Sequence, residues 1–218
     1  MTGTQKPFRI ETQIAAPADT IWRHLTEPAL IRDWFGWEYP GLDDEIRQIY
    51  IEGADPQPPD RIAFGDGQEM LLVAGRQRTV LRVATTRALP PGGDPHRHDP
   101  VEEGWRVFFE QLRFLLERRP GERRHTLYLT GRASGRELLE LIESAADKEV
   151  WHSSRFAQLT VDREENLIAA ATQEPITTDR PGPVSVTVNG YGLDTPSRIA
   201  LRERWLARWQ VADAAITP

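Results

Sequence analysis

Glu102 to Arg119 is the stretch that most restricts what this chain can fold into. Trp105, Phe109, Leu112 and Leu116 recur at i, i+4, i+7 and i+11, Phe108 and Leu115 widen the stripe, and Arg106, Glu110, Arg113 and Glu117 fall opposite. This is the period of an amphipathic helix with a broad apolar face. Such a helix would be roughly 27 Å long, and Pro120-Gly121 would stop it. Six large apolar groups on one face need a wide partner, and a curved sheet supplies one. Their burial would contribute on the order of 10 kcal/mol at most.

The rest of the chain must therefore provide that sheet. At 218 residues there is room for one large domain or two small ones. A hydrophobic fraction of 39% with 28% charged residues suits a globular protein in water. The net charge of −6 argues against a nucleic-acid partner. Cysteine is absent, which excludes disulfides, a thiol nucleophile and thiolate metal sites. Met1 to Lys6 is polar and has no apolar core of a secretory signal, and no apolar run approaches the ~18 residues of a membrane span. A cytoplasmic location and no membrane partner are expected.

Phe8, Ile10, Thr12 and Ile14 alternate with polar residues and predict a half-buried strand that ends at Ala16-Pro17. Ile21, Trp22 and Leu25 predict a helix. Thr26 is the expected cap of a second short helix with Pro28 in its first turn, Leu30, Ile31, Trp34 and Phe35 on its apolar side and Gly36 at its end. Ile46 to Ile51 is β-branched and aromatic and reads as a strand. Pro56, Pro58 and Pro59 read as a stiff connection. Ile62 and Phe64 alternate, Asp66-Gly67 signals a hairpin, and Met70 to Ala74 and Thr79 to Thr85 are two more strands. A polar loop from Leu89 to Pro100 leads into the long helix.

Several of these motifs, in this order, resemble the helix-grip (START-like, SRPBCC) superfamily. They are Ile14-Ala15-Ala16-Pro17, Ile21-Trp22, Leu25-Thr26 with Pro28, and Gly104-Trp105 with Leu112 and Leu116. Asp33-Trp34-Phe35-Gly36 and Pro58-Pro59-Asp60-Arg61-Ile62 are most similar to the branch named after the activator of Hsp90 ATPase. The resemblance covers about residues 7 to 119. One departure is that Glu38 to Pro59 is short for that family's first sheet strands. The resemblance implies an α+β fold in which a curved antiparallel sheet wraps a long helix and leaves a cavity between them.

The second half reads as strand, helix, strands, helix. Leu127 and Leu129 alternate, and Ser134-Gly135-Arg136-Glu137 is a capping-box pattern ahead of Leu138, Leu141 and Ile142. Phe156 to Val161 and Asn166 to Ala171 are strand-like. Pro181-Gly182-Pro183 is a turn, Val184, Val186 and Val188 alternate, and Asn189-Gly190 signals another turn. Thr195-Pro196 opens a last helix carrying Leu201, Trp205 and Trp209. The expected division is 1–121 for the helix-grip domain and 122–218 for a smaller α+β unit, either a degenerate repeat or a carboxy-terminal extension.

Motifs for chemistry are sparse. His96, His98, Asp94 and Asp99 could together hold zinc or nickel, but their proline- and glycine-rich setting reads better as a solvated loop, and no metal is expected. His125 and His152 lack a nucleophile at motif spacing, Ser153-Ser154 reads as a polar turn, and Gly-x-Ser-x-Gly is absent. Asp43-Asp44-Glu45 reads as a solvated acidic face. Arg118-Arg119 and Arg123-Arg124 suit a helix end. Gly131 and Gly135 lack the lysine and hydroxyl of a phosphate loop, and no cofactor is expected.

Seven tryptophans leave an aromatic set as the strongest candidate. The expected ligand residues are Trp34, Phe35, Tyr50, Phe64, Trp105, Phe109, Leu112 and Leu116, with Trp34 and Phe35 over the mouth of the cavity. The expected function is binding of a small hydrophobic or amphipathic molecule. Two alternatives stand beside it. One is a cyclase- or hydrolase-type enzyme using inward carboxylates, with Glu11 and Glu69 the candidates by strand parity. The other is a protein-interaction module, with a protein partner or a homodimer.

Overall fold

The computed structural model describes residues 6–65, 67–85, 94, 96–143 and 149–217. By packing, the chain forms two compact units: Met1–Gly36 with Pro40–Gly121, and Trp37–Tyr39 with Glu122–Pro218. Both are mixed α+β with an antiparallel sheet.

In the first unit the chain runs β1 (Arg9–Ile14), α1 (Ala18–Thr26), α2 (Pro28–Ile31), α3 (Leu42–Ile46), β2 (Ala54–Gln57), β3 (Arg61–Phe64), β4 (Gln68–Ala74), β5 (Thr79–Thr85) and α4 (Pro100–Arg118). The sheet order is β1-β5-β4-β3-β2. Its buried face is built by alternation: Ile10, Thr12 and Ile14 on β1, Gln68, Met70 and Leu72 on β4, Leu81 and Val83 on β5. Two hydrogen bonds fix α4 over that face. Trp105 Nε1 donates to Gln68 Oε1 at 2.6 Å, and Thr12 Oγ1 donates to Glu110 Oε1 at 3.2 Å. The long helix thus lies against the buried face of the antiparallel sheet.

The helix is more enclosed than its sequence period indicates. Phe114 is fully buried, whereas Leu116 is only half-buried. Glu110, expected on the polar side, is 4% exposed. Its charge is met by Thr12 and by Arg113 Nη1 at 3.1 Å, so burial leaves no bare carboxylate. Asp99 caps α4, accepting from the backbone N–H groups of Val101 (2.9 Å) and Glu102 (3.2 Å).

Three sequence expectations in this unit give way. Ile46 to Ile51 is not a strand: α3 continues into a π-helical turn over Arg47–Glu52. Leu42, Ile46 and Tyr50 are buried at i, i+4 and i+8, and this helical spacing overrides local β-propensity. The cap of α2 is Glu27, with no side-chain bond, while the Thr26 hydroxyl donates back to Trp22 O at 2.9 Å. The connection holding Pro56 contains the edge strand β2, where a missing N–H is tolerated. Of the hairpin pair, Asp66 lies outside the described residues; Gly67 has φ 86°, the left-handed turn position glycine favours.

The second unit runs β6 (Arg124–Ala133), α5 (Gly135–Glu143), β7 (Glu149–Ser153), β8 (Ala157–Val161), β9 (Leu167–Thr172), β10 (Gly182–Tyr191), α6 (Thr195–Arg208) and β11 (Ala212–Thr217). Its sheet order is β11-β6-β10-β9-β8-β7. In both units the first strand pairs with the last strand of a four-strand meander, and a helix follows. Leu129, Ile168, Val186, Val188 and Trp205 fill the core between sheet and helices. The capping box forms as its pattern requires: Glu137 Oε2 accepts from Ser134 N at 2.7 Å, and Ser134 Oγ accepts from Glu137 N at 3.2 Å.

Asn189-Gly190 is no turn; β10 runs straight through it. Asn189 is fully buried and donates to Leu167 O at 2.9 Å. A Cβ at Gly190 would stand 2.4 Å from Leu193 Cδ1, so the glycine admits a close neighbour within a strand. Trp37 stacks on Tyr128, with centroids 3.9 Å apart and planes 9° from parallel. Beside it, Glu38 N donates to Thr126 Oγ1 at 2.6 Å and Thr126 N donates to Glu38 Oε2 at 3.0 Å. No described helix is long and apolar enough to cross a membrane.

Candidate functional site

The first unit gathers seven aromatic rings from four parts of the chain. Trp34 and Phe35 follow α2, Tyr50 sits in the π-helical turn, Phe64 ends β3, and Trp105, Phe108 and Phe109 project from α4. Centroid separations are 5.3 Å for Phe35–Tyr50, 4.9 Å for Phe35–Phe108, 6.0 Å for Tyr50–Phe64, 6.1 Å for Phe64–Trp105 and 5.7 Å for Trp105–Phe109. Most pairs are tilted or edge-to-face, the arrangement that ring quadrupoles favour. Gly36, with φ 57°, turns the chain directly after Phe35.

Polar atoms in this cluster are almost all committed. Trp34 Nε1 donates to His24 O at 2.9 Å, Trp105 Nε1 to Gln68, and Gln111 Nε2 to Trp34 O at 3.1 Å. The Tyr50 hydroxyl is the exception. It is buried, and among the described residues it has no hydrogen-bond partner. Burial holds its pKa well above the ordinary value of 10.0, and the Glu45 carboxylate adds to the effect. The group is therefore a neutral O–H donor at any physiological pH. Leaving such a donor unmatched costs about 1–3 kcal/mol.

Six of the eight expected residues, Trp34, Phe35, Tyr50, Phe64, Trp105 and Phe109, meet in this cluster. Leu112 is buried one turn further along α4, and Leu116 is half-buried beyond it. Trp34 and Phe35 are 0% and 5% exposed, so they are walls of the interior rather than a cover over a mouth. Phe108, Gln68 and Gln111 also join this cluster; the sequence reading put Phe108 on the apolar stripe but named none of the three as a ligand residue. The parity of Gln68 with Met70 and Leu72 was the available signal for one of them.

The other candidates have structural partners. Glu11 and Glu69 lie on the sheet face opposite to the buried residues of their strands. Glu11 is bound by Arg9 and Arg82, and Glu69 by Arg61 at 3.0 Å. Parity placed them inward; the register places them outward, and the enzyme alternative loses its proposed carboxylates. His96 is exposed and Asp99 is engaged as a cap; among the described residues no group of three His, Asp or Glu side chains could hold a metal. His125 Nδ1 stands 3.7 Å from the Glu38 carboxylate, and burial still pulls its pKa below the usual value. His152 lies on edge strand β7. Asp43 pairs with Arg32 and Asp44 with Arg47 on an exposed surface. Arg118 occupies the last turn of α4, where a cation opposes the helix dipole.

No protein-family model and no curated protein matches the chain. Two solved structures are similar to it. DynU16, from the dynemicin biosynthetic locus, shares 18% identity at a TM-score of 0.37, over 94% of this chain and 95% of that one. The di-domain ARO/CYC BexL, from the BE-7585A biosynthetic pathway, shares 12% identity at a TM-score of 0.36, over 93% and 94%. Likeness at this level assigns neither a family nor an activity.

Proposed function

We propose that the first unit binds a small hydrophobic or amphipathic molecule among the rings beneath α4. The observation that carries this reading is the Tyr50 hydroxyl: a buried donor with no hydrogen-bond partner among the described residues, enclosed by Trp34, Phe35, Phe64 and Trp105. Aromatic walls with a few oriented polar groups are the usual make-up of a small-molecule site. The ligand residues are Trp34, Phe35, Tyr50, Phe64, Trp105, Phe108, Phe109 and Leu112. Kinship with the Hsp90-activator branch rests on Asp33-Trp34-Phe35-Gly36 and Pro58-Pro59-Asp60-Arg61-Ile62. The second unit reads as a degenerate copy of the first, which the shared strand order supports.

The test is titration of the full chain with a panel of apolar tricyclic compounds, followed by tryptophan emission and native mass spectrometry. Saturable one-to-one binding that shifts the emission of Trp34 and Trp105 is expected, and it weakens in Phe35→Ala. A panel that leaves both signals unchanged overturns the reading.

A further inference from the structure

We propose that Tyr50 sets the chemical class of the ligand: a flat, uncharged molecule presenting a neutral acceptor oxygen, such as a ketone, quinone or ester carbonyl. This inference rests on the binding reading above and narrows it. Three features of the site carry it. The first is shape. Phe35, Trp34, Phe64 and Trp105 all stand within 6.5 Å of the Tyr50 ring and meet it edge to face, while Trp105 is tilted against Phe35 and Phe64. A wall of ring edges and faces favours a planar apolar body.

The second feature is the donor. Tyr50 Oη can donate one hydrogen bond and has no described acceptor. An acceptor on the ligand would remove the penalty of that unmatched group; a pure hydrocarbon would not. The third is burial. Tyr50 is 4% exposed, so a charge brought to its hydroxyl would lose its water. An anionic ligand would bring a bare charge to that desolvated place. A carbonyl oxygen accepts the bond without that charge.

Fluorene, 9-fluorenone and fluorene-9-carboxylate share one planar frame and separate the possibilities. Each is titrated against the full chain and against Tyr50→Phe. Wild-type protein is expected to bind fluorenone about tenfold more tightly than fluorene, as one buried hydrogen bond provides. The carboxylate is expected to bind more weakly than either. In Tyr50→Phe the preference for fluorenone falls to about one while fluorene binding persists. The carbonyl stretching band of bound fluorenone supplies a readout that does not depend on the variant folding: it moves to lower wavenumber in the wild-type complex when the bond forms. Equal binding of fluorene and fluorenone, or an unshifted band, overturns the role of Tyr50 and leaves the binding reading standing. Tightest binding of the carboxylate also overturns it. Failure of all three compounds to bind overturns both.

Discussion

Trp105 Nε1 and Gln68 Oε1 stand 2.6 Å apart in the interior, joining the first turns of α4 to the start of β4. The bond satisfies the one polar atom of a tryptophan that is otherwise packed against Phe35, Tyr50, Phe64, Phe108 and Phe109. Gln68→Leu preserves the bulk and removes the acceptor. We expect a loss of about 1–3 kcal/mol in urea unfolding, the cost of a stranded buried donor. A loss below about 0.3 kcal/mol would show that the indole finds another acceptor.

Asp99 ends the polar loop and begins the helix. Its carboxylate accepts from Val101 N and Glu102 N, and its other oxygen lies 3.3 Å from Lys6 N. Asp99→Ala should cost about 1–2 kcal/mol, and Asp99→Asn or Asp99→Ser should recover most of it. Hydrogen exchange should quicken at Val101 and Glu102 and leave the last turn of α4 unchanged.

Gly135 opens α5 directly beneath the backbone of Ile176; a Cβ there would lie 2.2 Å from Ile176 O and 2.4 Å from its carbonyl carbon. Backbone cannot swing aside as a side-chain tip can. Gly135→Ala should therefore destabilise by about 1–3 kcal/mol or more, as overpacking does. The three atoms nearest a Cβ at Gly190 are side-chain ends, of Leu193, Leu201 and Asn166, so Gly190→Ala should cost less. Thermal unfolding of the two variants side by side checks the order.

Alkaline stability should report on Tyr50. Its folded pKa is raised well above the ordinary value of 10.0, chiefly by burial. Below pH 10 the hydroxyl is protonated in both states and folding is unaffected. Above pH 10 the unfolded chain releases this proton and the folded chain retains it, so stability falls as pH rises. Tyr50→Phe should flatten that fall. Burial also raises Tyr128, so the number of tyrosines that ionise only on unfolding, read by tyrosinate absorbance, should fall by one in Tyr50→Phe; an unchanged number would contradict the assignment.

How far the sequence discloses this architecture depends on whether one local signal dominates. The i, i+4, i+7 run of Trp105, Phe109 and Leu112 and the strict alternation of Val184, Val186 and Val188 each had no rival, and both elements form. The Ser134–Glu137 box is equally plain because both partners sit within one turn. Elsewhere two signals compete. Ile49-Tyr50-Ile51 favours a strand by residue type, while Leu42, Ile46 and Tyr50 favour a helix by spacing; burial of the latter three decides. Asn189-Gly190 has the composition of a turn, but its role comes from Leu167, Leu193 and Leu201, which no short window contains. Strand β11 is exposed almost throughout and shows no alternation to read. In the site, the rings could be named from composition and order. That the Tyr50 hydroxyl has no hydrogen-bond partner among the described residues is a fact of three-dimensional neighbours.

Three residues, Trp37 to Tyr39, pack with the second unit, although Gly36 before them and Pro40 after them pack with the first. The polypeptide therefore passes into the second unit, leaves it, and returns after Gly121. Cutting the chain at the end of α4 would not yield two complete pieces: the fragment beginning at Glu122 would lack the indole that Tyr128 lies against and the carboxylate that receives Thr126 N.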